Sequence, residues 1–214
     1  MSYIGSKPAN KPVVASDLDP TVITGQTALA VAPADTDEFL ISDAGVLKRL
    51  DASLVIPVGG LEVADQWRLT TSLSVADAFL TANLEQTDTG IQGNLGSAMT
   101  QSSGVFTFPS TGFYWVKANA VFKHNANTRQ AQFSIYGTAD NSSYVQLALQ
   151  HSFITIGASG NTNTSLVVDT LIDVTNVSTH KIKFYMAGIG GGENLIGSSS
   201  INTTYFTFLK LGAT

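Results

Sequence analysis

The run Phe113-Tyr114-Trp115-Val116-Lys117-Ala118-Asn119-Ala120-Val121-Phe122-Lys123 decides how the chain must be read. Tyr114, Val116, Ala118, Ala120 and Phe122 fall on one parity, and each is apolar or aromatic. Phe113, Trp115, Lys117, Asn119, Val121 and Lys123 fall on the other and mix rings, charges and an amide. Side chains of a strand point alternately to opposite faces, so this period of two predicts a strand whose even-numbered face lies on a core.

Outward from this run the text stays strand-like. Strands are expected at 66–75, 79–85, 104–109, 130–136, 144–150, 152–157, 164–174, 180–187 and 203–211, bounded by Gly, Asn, Ser or Pro clusters. In 164–174, Val168, Thr170, Ile172 and Val174 alternate with Asp169, Leu171 and Asp173. Short strands at this spacing indicate an antiparallel sandwich. A helix around Val75–Leu84 is the one local exception. Pro109-Ser110-Thr111-Gly112 reads as a turn, because Pro supplies a position without a donor and Gly accepts a positive dihedral.

Upstream the character changes. Residues 1–36 hold four of the six prolines, Pro8, Pro12, Pro20 and Pro33. Each removes a backbone donor and biases its predecessor towards extended backbone, which predicts an arm and not a domain. Thr21-Val22-Ile23-Thr24 and Ala28-Leu29-Ala30-Val31 can add a strand to a partner but are too few to build a core. Residues 37–60 read as a hairpin and linker: Glu38-Phe39-Leu40-Ile41-Ser42, the turn Asp43-Ala44-Gly45, then Val46-Leu47-Lys48-Arg49-Leu50. A lone hairpin is marginal in water, so it requires neighbours. Pro57, Gly59 and Gly60 mark the border of a head domain at 61–214.

Composition narrows the function. Charged residues are only 13%, against roughly 25% in ordinary soluble domains, which leaves a neutral surface of hydroxyls and amides. Residues 1–100 carry 12 acidic and 5 basic side chains, residues 101–214 carry 4 and 6, so the two zones have different work. Lys48-Arg49 is the only adjacent basic pair, which argues against nucleic acid. The absence of cysteine excludes disulfides and thiolate metal sites. Neither a signal-peptide run nor an apolar stretch of ~18–20 residues is present, so synthesis in the cytosol without membrane insertion is expected.

Motifs for chemistry are weak. His124, His151 and His180 lack a second ligand at metal-binding spacing. Gly157-Ala158-Ser159-Gly160-Asn161 falls one glycine short of a nucleophile elbow, and Gly188-Ile189-Gly190-Gly191-Gly192-Glu193-Asn194 lacks the Lys-Ser/Thr of a phosphate loop and reads as a connection. Asp17/Asp19 and Asp35/Asp37/Glu38 lack a calcium loop's Gly and distal Glu. Asp169 and Asp173 share a strand face, but four residues of rise separate them by about 13 Å, beyond the roughly 6.5–9.5 Å of an inverting glycosidase. The sequons at Asn141, Asn163, Asn176 and Asn202 read as turns. No cofactor, metal or catalytic group is therefore expected.

The stretch Gly104-Val105-Phe106-Thr107-Phe108-Pro109-Ser110-Thr111-Gly112-Phe113-Tyr114-Trp115-Val116 resembles the core motif of heads shared by complement-type collagenous proteins and the tumour necrosis factor group, and Thr204–Gly212 resembles their closing strand. That resemblance implies a ten-stranded jelly roll that associates as a trimer. Gln66–Thr70, Asp140–Tyr144, Asp173–Phe184 and Leu211-Gly212 are similar to the version in phage structural proteins. The opening Tyr3-Ile4-Gly5, Ser16-Asp17-Leu18, Val22-Ile23-Thr24 and the hairpin 43–50 also resemble phage fibre and virion segments. The chain departs from the collagenous proteins in having no Gly-x-y stalk and no heptad seam.

These resemblances imply a non-enzymatic virion protein, made in the host cytoplasm. It would be a homotrimeric short fibre of tail-fibre type, anchored to other virion proteins through Tyr3, Ile4, Val22 and Ile23, with its head outward. The alternatives are a trimeric capsid decoration protein, a glycan-degrading appendage enzyme, and a soluble lectin-like domain unrelated to phage, which would leave residues 1–60 without a purpose. Polar connections at 125–129, 138–144 and 158–164 nominate Asn141, Tyr144, Asn161 and Asn163 for contact with a host-surface glycan.

Overall fold

A computed structural model describes residues 24–25, 27, 29–31, 33–34, 36–55, 60–74, 77–124, 128–155, 162–189 and 192–214. The chain divides into two units, Met1–Gly59 and Gly60–Thr214. In the first, β1 (Glu38–Asp43) and β2 (Val46–Asp51) pair antiparallel about the Ala44-Gly45 turn, both of whose φ angles are positive, and a 3-10 turn follows at Ala52–Leu54. The second is an antiparallel all-β sandwich.

Its strands are β3 (Ala64–Leu69), β4 (Thr71–Ser74), β5 (Ala78–Phe79), β6 (Leu84–Gln86), β7 (Thr100–Ser102), β8 (Val105–Thr107), β9 (Gly112–His124), β10 (Thr128–Thr138), β11 (Val145–Ile154), β12 (Thr162–Val174), β13 (Lys181–Ile189), β14 (Asn194–Ser198) and β15 (Tyr205–Gly212). The first sheet runs β12-β9-β15-β3-β6, with β14 beside the far end of β9 and β4 beside β14. The second runs β11-β10-β13-β8-β7, with β5 added to β13.

Strand β9 supplies the expected seam: Tyr114, Val116, Ala118, Ala120 and Phe122 are all fully buried. Facing them, Phe133 and Ile135 of β10 and Phe184 of β13 come from the other sheet. Phe184 and Phe206 stack at 4.0 Å, and Phe106 meets Phe184 edge-on at 5.4 Å, so rings from both layers interlock. Each buried ring contributes about 1.5–3 kcal/mol by leaving water.

Two polar clamps fasten the edge at β3. Buried Asp65 accepts from Trp67 Nε1 (2.9 Å), Gln86 Nε2 (2.8 Å) and the Met99 amide (2.8 Å). Buried Arg68 donates to Glu85 (2.7 Å), Thr89 (2.7 Å) and Gln92 (3.3 Å), tying the 85–92 segment down. The Pro109–Gly112 turn is held by Tyr114, whose hydroxyl donates to the Ser110 carbonyl at 3.0 Å. Gly112 has φ +142, and a Cβ there would meet the Gly212 carbonyl oxygen at 2.5 Å, so the turn requires glycine.

Several boundaries differ from the sequence reading. The described part of Val75–Leu84 is not helical: β5 is stitched to β13, so a ladder wins over local periodicity. Stretch 79–85 splits into β5 and β6, and 66–75 breaks at Thr70, whose amide bonds Asn83 at 2.8 Å. The described parts of stretches 144–150 and 152–157 fall on one strand, β11, because Gln150, His151 and Ser152 pair in continuous register with Phe133, Gln132 and Ala131 of β10. Strand β7 and strand β14, part of the latter read as a connection, were not expected from the sequence.

The registers define two poles of the sandwich. Ala64, Leu209, Trp115 and Leu171 lie level, as do Gly112 with Val174 and Thr138 with Lys181, so the chain enters the head at this proximal pole. His124 with Thr162, Thr128 with Ile154, and Asn194 with Ser74 mark the distal pole.

Candidate functional site

Alternation that buries one face of the first sheet turns the other outward. On β9 this outward row is Phe113, Trp115, Lys117, Asn119 and Val121; β12 adds Val167, Asp169, Leu171 and Asp173; β15 adds Tyr205, Thr207 and Leu209. Leu171 is 65% exposed and Phe113 43%, and Val167 and Leu211 are also exposed. Polar junctions interrupt the apolar surface: Trp115 Nε1 donates to Asp169 at 2.9 Å with Lys117 over the Trp115 ring, and Gln66 Nε2 donates to Thr207 Oγ1 at 3.0 Å.

A second apolar surface lies at the sandwich edge. β11 and β12 are the outer strands of their sheets, and Ser152 Oγ and Thr164 Oγ1 join them at 2.6 Å near the distal pole. Towards the proximal pole they part around a cleft of about 550 Å³, floored by Phe108, Ile172 and Ile182 and walled by Val145, Leu147 and Leu171. Asp140, Asp173, His180 and Lys181 rim it. Val145 and Leu147 are exposed beside it, and Phe153, farther along β11, is 74% exposed.

The outward face of the second sheet is aromatic. Phe79, Tyr136 and Tyr185 form a triangle with ring centroids 5.1, 5.2 and 5.6 Å apart. Lys183 Nζ sits 5.3 Å from the Phe79 centroid and 4.0 Å from that of Tyr144. Burial, then the Asp77 charge and Tyr136, raise the Tyr185 pKa; burial, then the Asp140 charge, raise that of Tyr144. Asp140 anchors the preceding loop: it accepts from Thr138 Oγ1 (2.7 Å), the Ser142 amide (2.8 Å) and the Ser143 amide (2.7 Å). These bonds, led by that of Thr138, hold its pKa well below the ordinary aspartate range.

The four residues nominated for recognition do not share a surface. Asn141, with φ 58 and its amide bonded to Thr179 O at 3.0 Å, and Tyr144 lie at the proximal pole. Asn163 is exposed within β12, opposite Lys123 at the distal pole, and so is a strand residue and not a turn. Ten residues of extended strand span about 33 Å, which keeps Asn163 and the proximal loops apart. Asn161 lies outside the described residues, as do the anchoring candidates Tyr3, Ile4, Val22 and Ile23. Of the other sequons, Asn176 accepts the Ser178 amide in a turn, and Asn202 donates to Gln66.

Sequence reasoning missed Phe79, Tyr136, Lys183 and Tyr185. The signal was present, since Tyr136 and Tyr185 take the parity opposite to Phe133, Ile135 and Phe184. Among the described residues no group of three or more His, Cys, Asp or Glu is placed to hold a metal, and no helix is long and apolar enough to cross a membrane. No protein-family model and no curated protein matches the chain.

Proposed function

We propose that the chain is a non-enzymatic structural subunit of a phage particle, a homotrimeric short fibre whose residues 1–36 anchor it to other virion proteins and whose head is a jelly roll. The observation that carries this reading is the pair of unlike apolar surfaces on the head: the outward face with Phe113 and Val167, and the β11 edge with Val145 and Leu147. Patches of this kind mark interaction sites. Two different patches on one chain pair head-to-tail, and a closed ring satisfies both on every copy. Closure at three follows from the resemblance to complement-type and tumour necrosis factor heads. Successive strands cross between the sheets, β8 to β9, β9 to β10, β11 to β12 and β12 to β13, which supports the jelly-roll winding.

The anchor rests on the proline-punctuated arm and on the hairpin, whose Leu40 and Val46 are exposed within their own unit. A fibre projects its head to the host surface; the alternative is a trimeric capsid ornament. Electron microscopy of the phage particle with antibody against the head tests the proposal. Label on the tail is the expected result, label on the capsid assigns the ornament, and particles without label overturn the virion role.

A further inference from the structure

We propose that the outward face of the second sheet binds neutral pyranose sugars, on a platform made by Phe79, Tyr136, Tyr144, Lys183 and Tyr185. The placement follows from strand parity. Phe133 and Ile135 on β10, and Ile182 and Phe184 on β13, take the core side, which turns Tyr136, Lys183 and Tyr185 outward, and β5 sets Phe79 opposite Tyr185. All five side chains stay partly exposed. Edge-on contacts lock the Phe79, Tyr136 and Tyr185 rings together, and the Asp140 hydrogen bonds hold the loop that presents Tyr144. Rings fixed before binding lose little freedom when a ligand arrives.

The chemistry of the patch selects a sugar. The C–H face of a pyranose packs against aromatic rings, while its hydroxyls require donors and acceptors around them. Tyrosine hydroxyls supply both. Lys183 forms no ion pair among the described residues, so its ammonium is available as a donor, and Asp77 at the rim is an acceptor. One positive charge between Asp77 and Asp140 leaves the patch slightly negative, which disfavours acidic sugars. The first sheet's outward face also carries rings, Phe113 and Trp115, but Trp115 Nε1 is committed to Asp169 and exposed Val167 and Leu171 share that face, which suits it to another protein surface instead. The inference rests on the proposed fibre only for the source of the sugar, the host surface.

The test uses the full-length protein on a printed array of neutral and acidic oligosaccharides, followed by calorimetric titration of the tightest neutral one. Retention of neutral hexopyranose oligosaccharides is expected. Tyr144→Ala and Tyr136→Ser should each weaken binding about tenfold, the equivalent of one lost aromatic contact. Tyr185→Phe, which keeps the ring, should cost less, and Asn163→Ala at the distal pole should cost nothing. Tyr144 lies outside the strands, so its variant should keep the wild-type melting temperature. The proposal is overturned if the wild type retains no neutral sugar at millimolar concentration, retains only acidic ones, or binds equally well as Tyr144→Ala and Tyr136→Ser. A chain that binds neutral sugars as a monomer would remove the trimer and leave the platform; a particle-borne trimer that binds none would do the reverse.

Discussion

The β1–β2 hairpin and the β9–β12 ladder are both antiparallel pairs that carry apolar side chains, consecutive in Phe39-Leu40-Ile41 and alternating in β9, and they end in opposite states. In β9 the even-numbered face is sealed under a second sheet, whereas every residue of β1 is exposed within its unit, Leu40 at 76%. Pairing is equally complete in both: six consecutive pairs join β1 to β2, held at the side by Lys48–Asp43 and Arg49–Glu38 ion pairs. Backbone hydrogen bonds therefore do not distinguish them. What differs is the second layer, which turns alternation into buried area, and an exposed ion pair adds at most about 1 kcal/mol. The head thus contains its own core, whereas β1 stays exposed along its whole length.

Core truncation should break the comparison most visibly. Phe184→Ala and Phe206→Ala each remove a ring from the stack that joins the sheets and should cost about 3–5 kcal/mol in chemical denaturation. Leu40→Ala in the hairpin should stay within about 0.5 kcal/mol in the same measurement. Equal losses would mean that the hairpin contributes to the folding of the head. Arg68→Ala removes the bonds to Glu85, Thr89 and Gln92 and leaves a buried gap, and should cost about 2–3 kcal/mol, with the 85–92 segment losing protection in hydrogen exchange. Deletion of residues 1–56 should leave the melting temperature of the head unchanged while abolishing incorporation into particles, read by immunoblot of purified virions.

The smallest effect concerns Asp140. Its carboxylate is hydrogen-bonded in the folded loop and has a folded pKa below the unfolded value near 3.8. Its stabilisation is accordingly full above that unfolded value and is lost as pH falls through it towards the folded one. Melting curves should show wild type above Asp140→Asn at pH 6 and the gap shrinking below pH about 4. A gap that widens on acidification would contradict the assignment.

How much of this was legible in the sequence varies with the physics. Tyr114 to Phe122 was readable because period-two burial is local information, and the turn at Gly112 because proline and glycine carry their own geometry. The merging of two stretches into β11 was not, since polar Gln150-His151-Ser152 is held in the strand by its pairing with β10. Strand β7, with its polar Thr100-Gln101-Ser102, exists only because β8 pairs with it. The aromatic triangle was half readable: parity exposed Tyr136 and Tyr185, but no sequence pattern brings Phe79, more than 50 residues away, to their side. Asn141 and Asn163 failed as a set because loop composition says nothing about which pole a loop occupies.

Self-association through the outward face of the first sheet is the claim on which the account stands. Leu171 is exposed on β12, so Leu171→Asp should leave the folded chain intact while placing a charge in the predicted contact. Light scattering of the full-length protein at micromolar concentration should give three chain masses for wild type and one for Leu171→Asp, with matching circular dichroism. A monomeric wild type, or a variant that remains trimeric, would contradict it.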